Sequence, residues 1–104
     1  MKSIRYSPEA VDDLEEINEY FSIELENPNS AIKTVSMITK KIRELNNFPS
    51  IGMNLSAIID IETDYHYLIC GDYLAFYRFD EHNVYIIRVL NGKRDYLKLL
   101  FGDI

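Results

Sequence analysis

The hydrophobic period of this chain changes once, from about 3.6 residues in its first half to about 2 in its second, which restricts the fold more than any other feature. Val11, Leu14, Ile17 and Phe21 recur at three- and four-residue steps, and so do Ile32, Val35, Ile38, Ile42 and Leu45. Each set lays an apolar stripe along a helix. Tyr65–Cys70, Tyr73–Phe79 and Val84–Leu90 are instead rich in β-branched and aromatic residues, with only Gly71-Asp72 and Asp80-Glu81-His82-Asn83 between them. Connections this short make consecutive strands antiparallel neighbours, so the second half reads as a β-meander.

Local signals place the ends of these elements. Ile4 and Tyr6 alternate with polar neighbours in a short first strand. Ser7-Pro8-Glu9 then reads as a helix start, with Ser7 as N-cap, Pro8 in the first position and Glu9 favoured by the helix dipole. That helix runs from about Pro8 to Leu25. Asn27-Pro28-Asn29-Ser30 breaks it and offers Asn29 or Ser30 as the next cap, for a second helix ending near Asn47. The two helices form an antiparallel hairpin, the first acidic and the second carrying Lys33, Lys40, Lys41 and Arg43. Phe48–Gly52 is loop, and Leu55–Ile61 admits a strand without requiring one. The order β-α-α-β-β-β(-β)-α is an α+β fold, with the hairpin on one face of an antiparallel sheet. A length of 104 residues allows one domain, spanning 1–104.

Charge narrows the partners. The net charge is −6, and from Glu9 to Glu26 eight carboxylates run without a cation. Such a body repels phosphate backbones at long range, so strong non-specific nucleic-acid binding is not expected. A local cationic site is compatible with it. From Tyr65 onward Arg78, Arg88, Lys93, Arg94 and Lys98 balance the acids, and Lys93-Arg94 follow directly on an Asn91-Gly92 turn. Asp95, Tyr96 and a short apolar helix come next. Arg88, with Val84, Ile86 and Leu90 at strand alternation, reads either as a surface contact or as a partly buried Arg paired with a carboxylate.

No stretch approaches the roughly 20 apolar residues of a membrane helix, and the N-terminus lacks a signal-peptide core. The lone Cys70 rules out an intramolecular disulfide and reads as an apolar filler in a cytoplasmic protein. His66 and His82 have no second ligand at metal spacing, and no Gly-rich phosphate loop is present, so neither a metal nor a cofactor is expected.

Tyr6-Ser7-Pro8-Glu9-Ala10, Tyr73-Leu74-Ala75-Phe76-Tyr77-Arg78 and Arg88-Val89-Leu90-Asn91-Gly92-Lys93-Arg94-Asp95, in that order and spacing, resemble the RelE/ParE toxin superfamily over essentially the whole chain. The resemblance implies a growth-arresting toxin of a type II toxin–antitoxin pair, of the plasmid-stabilisation type. It implies a cognate antitoxin that covers exposed apolar helix surface and neutralises a basic patch, with a heterotetramer as one form of the complex. In the ParE branch the target is DNA gyrase and the toxin has no known chemistry of its own; Arg88, Lys93, Arg94, Tyr96 and Lys98 would then form the contact patch.

In the RelE branch the toxin cleaves mRNA on the ribosome, which needs a base, an acid and cations around one phosphate. Arg94 matches the Arg that follows Gly-Lys there, and Arg78, Tyr96 and His66 are the remaining candidates. The chain departs from that branch elsewhere: Leu74 replaces the usual strand Arg, Ser56–Ile61 carries none of its lysines, and its late Tyr falls near Leu100. A relative that only binds its antitoxin is the third reading.

Overall fold

Ser7 stops the first strand and starts the first helix. Its side chain accepts a hydrogen bond from Ala10 N–H at 3.0 Å and its hydroxyl donates to the Ile87 carbonyl at 2.7 Å, fastening the helix start to the last strand. The structure is a computed structural model and describes residues 1–102. Strand β1 (Ser3–Tyr6) leads into helix α1 (Pro8–Glu19), which continues as a wide π-type turn over Tyr20–Glu24. Asn27 caps α2 (Pro28–Arg43) by accepting from Ser30 N–H at 3.1 Å, two residues before the expected Asn29. Pro28 at the first helical position explains the shift, because it lacks the N–H a cap would otherwise satisfy.

Beyond a short 3₁₀ turn at Glu44–Asn46, β2 (Met53–Asn54) falls just before Leu55–Ile61, and that segment forms no strand but opens with a 3₁₀ turn at Leu55–Ala57. Leu55 is fully buried there, and its N–H donates to the Tyr65 carbonyl. The meander follows as β3 (His66–Cys70), β4 (Tyr73–Phe79) and β5 (Asn83–Asn91), then α3 (Tyr96–Phe101).

The sheet order is β1-β5-β4-β3-β2. The meander and β2 are antiparallel, but β1 pairs with β5 in parallel, so the sheet is mixed rather than wholly antiparallel. The α1–α2 hairpin carries the chain from β1 at one edge of the sheet to β2 at the other, and the meander returns it to β5 beside β1. One face packs on the hairpin through Ala10, Ile17, Ile38, Ile42, Ala75, Tyr77, Val84 and Ile86. The other face is covered by α3 over Phe76, Leu90, Tyr67 and Leu55. Among the described residues no helix is long and apolar enough to cross a membrane.

A bulge in β5 decides the site. Pairing steps from Phe76↔Arg88 to Tyr77↔Ile86, leaving Ile87 without a partner on β4. Strand alternation is reset at that point. Val84, Ile86 and Val89 therefore join the hairpin-side core, while Leu90 belongs to the α3 side. The expected shared face of Arg88 with Val84, Ile86 and Leu90 does not exist.

Candidate functional site

Arg88 leaves the bulge toward α1 and meets Asp13. Its Nε donates to Asp13 Oδ2 at 2.7 Å and its Nη2 to Oδ1 at 2.8 Å. Asp13 is 5 % exposed and takes a third bond, from Val89 N–H at 2.9 Å. Donating to the Asp13 carboxylate raises the Arg88 pKa further above its already high value, with the Asp13, Glu16 and Glu9 charges acting in the same direction. The alternative of a buried Arg paired with a carboxylate is the one the geometry matches. Sequence reasoning did not single out Asp13, although its spacing to Ala10 and Ile17 puts it on the buried side of α1.

Beside this pair lies a cavity of about 270 Å³ between α1 and the adjoining ends of β4 and β5. Asp13, Glu16, Ile17 and Tyr20 line one wall, Tyr73, Val89, Leu90 and Asn91 the other, and Arg94 completes the rim. Burial raises the Tyr73 phenol above its ordinary pKa, with Tyr20 and Asp72 adding to the effect. The turn that carries Arg94 is closed by its own N–H donating to the Asn91 carbonyl at 3.0 Å and by Lys93 N–H donating to Asn91 Oδ1 at 2.9 Å. Gly92 N–H donates in turn to the Asp72 carbonyl, tying the turn to the β3–β4 hairpin. Lys93 and Arg94 are exposed, and neither side chain has an ion-pair or hydrogen-bond partner among the described residues.

The remaining candidates stand elsewhere. Tyr96 opens α3 behind its cap Asp95 and packs on Phe76, ring centroids 5.2 Å apart, on the α3 face of the sheet. Lys98 is exposed two residues later. Arg78 lies over the Tyr85 ring at 5.0 Å, at the far end of β4 from Tyr73. Five strand residues separate that end from the cavity, roughly 16 Å of chain. His66 stacks on Tyr77 and Phe79 on the hairpin face, opposite Tyr96. Arg94 and Tyr96 thus adjoin, Tyr96 N–H donating to the Arg94 carbonyl at 2.9 Å. Arg78 and His66 are not brought to them, whereas Lys93, Arg94 and the cavity stand together. No three His, Cys, Asp or Glu side chains form a metal site among the described residues.

The ParE toxin family of type II toxin–antitoxin systems (parDE) matches residues 4–96, and the chain belongs to that family. Its fold is similar to a solved chain of a chromosomal ParDE toxin–antitoxin system from P. aeruginosa, with a TM-score of 0.73, 20% identity, and 88% of this chain and 96% of that one covered. A chain of the E. coli DinJ–YafQ toxin–antitoxin complex is also similar, with a TM-score of 0.55, 14% identity, and 97% and 98% covered. No curated protein sequence matches. The protein is a toxin of a type II toxin–antitoxin system.

Proposed function

We propose that this toxin acts in the ParE manner, arresting growth by binding DNA gyrase through the turn that carries Lys93 and Arg94, and that a cognate antitoxin neutralises it. One observation carries the reading: Arg94 stands with a free guanidinium at the rim of a cavity, while the adjoining Tyr96 is packed on Phe76 across the sheet, and Arg78 and His66 lie at other places on it. Phosphodiester cleavage requires a base, an acid and charge stabilisation within hydrogen-bond reach of one phosphate. Residues on two faces and two ends of a sheet do not meet that condition. A binding patch needs only exposure, and unpaired cations at a rigid turn supply it. The net charge of −6 also suits a protein surface better than a ribosome. The antitoxin is supported by the solved ParDE and DinJ–YafQ systems, both described as toxin–antitoxin assemblies.

The test is to induce the chain alone in bacterial cells and map transcript 5′ ends early in the response. The expected outcome is growth arrest without new ends in register with codons. Codon-register ends would establish the mRNA-endonuclease reading instead. Absence of arrest would leave an inactive relative that only binds its antitoxin.

A further inference from the structure

The cavity beside Asp13 carries one free charge of each sign. Asp13, Glu16, Ile17 and Tyr20 stand at helical spacing on one side of α1 and form one wall. The Asp13 charge is already answered, because Arg88 and the Val89 N–H take its carboxylate in three hydrogen bonds. Glu16 is exposed and has no partner among the described residues, and the same holds for Arg94 on the rim. Outside the lining, Asp72 lies near Tyr73 and Lys93 directly precedes Arg94, again one charge of each sign. The floor is apolar, with Ile17, Val89 and Leu90 all buried. Tyr20 and Tyr73 come from opposite walls, near enough for Tyr20 to add to the rise that burial gives the Tyr73 phenol. The Asn91 side chain gives its oxygen to Lys93 N–H at 2.9 Å and keeps its N–H donors for the cavity.

We propose that this cavity binds a free α-amino acid with an aliphatic side chain, its ammonium on Glu16, its carboxylate on Arg94 and its side chain between Tyr20 and Tyr73. The two free charges select a zwitterion. An anion would answer Arg94 and be repelled by Glu16, and a cation the reverse, so either leaves one charge of the site without a counterpart. A guanidinium holds a carboxylate by two parallel hydrogen bonds, and an ammonium on a carboxylate is likewise charge-assisted. Glu16 and Arg94 are both long and exposed, so they can close on two groups that share one carbon. The cavity, about 270 Å³, falls below the roughly 300–1,000 Å³ of drug-sized pockets, which suits a ligand of amino-acid size. Ile17, Val89 and Leu90 offer no free polar group to a side chain lying on them, which favours an aliphatic one over a polar one. The net charge of −6 disfavours phosphorylated ligands of any size.

The test is calorimetric titration of the purified whole chain with three probes: L-leucine, 4-methylpentanoate, which lacks the ammonium, and 3-methylbutylamine, which lacks the carboxylate. The expected result is leucine binding at least tenfold tighter than either analogue. Glu16→Gln and Arg94→Gln should each weaken leucine at least fivefold. Glu15→Gln and Lys33→Gln, which remove the same charges from exposed positions elsewhere on the hairpin, should change it less than twofold. Absence of leucine binding, an analogue that binds as well as leucine, or losses no larger in the site variants than in the controls would overturn the assignment. The titration contains no gyrase, ribosome or antitoxin, so its outcome is independent of the target proposed above.

Discussion

Asp13 and Arg88 form a bidentate pair that spans 75 residues of sequence and joins the middle of α1 to the bulge of β5. Because Asp13 also accepts the Val89 N–H, its removal strands both a guanidinium and a backbone donor. Breaking such a pair from one side is expected to destabilise by about 3 kcal/mol. Asp13→Ala should therefore lower the urea midpoint strongly. Asp13→Asn, which keeps an acceptor for Val89, should lose distinctly less. Equal losses would show that the Val89 bond contributes nothing.

Lys93 and Arg94 should behave in the opposite way. Exposed side chains without partners contribute within about 0.5 kcal/mol of stability. Lys93→Ala and Arg94→Ala should leave the unfolding transition in place while each weakens growth arrest by degrees, whereas Arg88→Ala should unfold more easily. Paired urea titrations and growth curves of the three variants check this contrast.

Tyr77 is fully buried, and its hydroxyl donates to the Pro49 carbonyl at 2.7 Å while accepting from Gly52 N–H at 3.0 Å. Tyr77→Phe keeps the ring and leaves both backbone groups unpaired, at about 1–3 kcal/mol. Thermal unfolding should show a lower Tm, together with faster hydrogen exchange at the Gly52 amide. An unchanged amide would contradict the bond.

Burial pushes the Cys70 thiol from its ordinary 9.0 up to about 11, with Lys41 opposing the shift and Glu44 adding to it. A folded-state pKa above the unfolded one means that stability is complete below pH 9 and is lost as pH rises toward 11. The decline amounts to about 3 kcal/mol over that window. Cys70→Ala should show a shallower alkaline slope, with Tyr6, Tyr73 and Tyr77, which burial raises in the same direction, contributing to the residual slope. Identical slopes in the two proteins would contradict the assignment.

Much of this fold was legible because its determinants are local. The Ser7-Pro8 start, the two helices and the short meander turns each act within a few residues and stand where their spacing put them. Val11 and Ile32 of the expected stripes are exposed, however, and Ala10 and Ala31 are buried in their stead. What escaped depends on distant contacts. The parallel pairing of Ser3–Tyr6 with Asn83–Ile86 has no local signature. Neither has the bulge at Ile87, where no Gly or Pro interrupts the strand pattern. That bulge turned Arg88 from an open choice into an internal ion pair. Asp13 hid within an acidic run, although its spacing to Ala10 and Ile17 distinguishes it from its exposed neighbours. The cavity needed the approach of α1, β4 and the Asn91–Arg94 turn, three segments far apart in sequence.

The central claim is tested most directly by purified chain added to DNA gyrase and relaxed plasmid, with the supercoiling reaction followed on agarose. The account predicts that the unaltered chain blocks supercoiling, and that Arg94→Ala, folded to the same midpoint, blocks it less. Undisturbed supercoiling, together with cleavage of ribosome-bound mRNA by the same preparation, would contradict it.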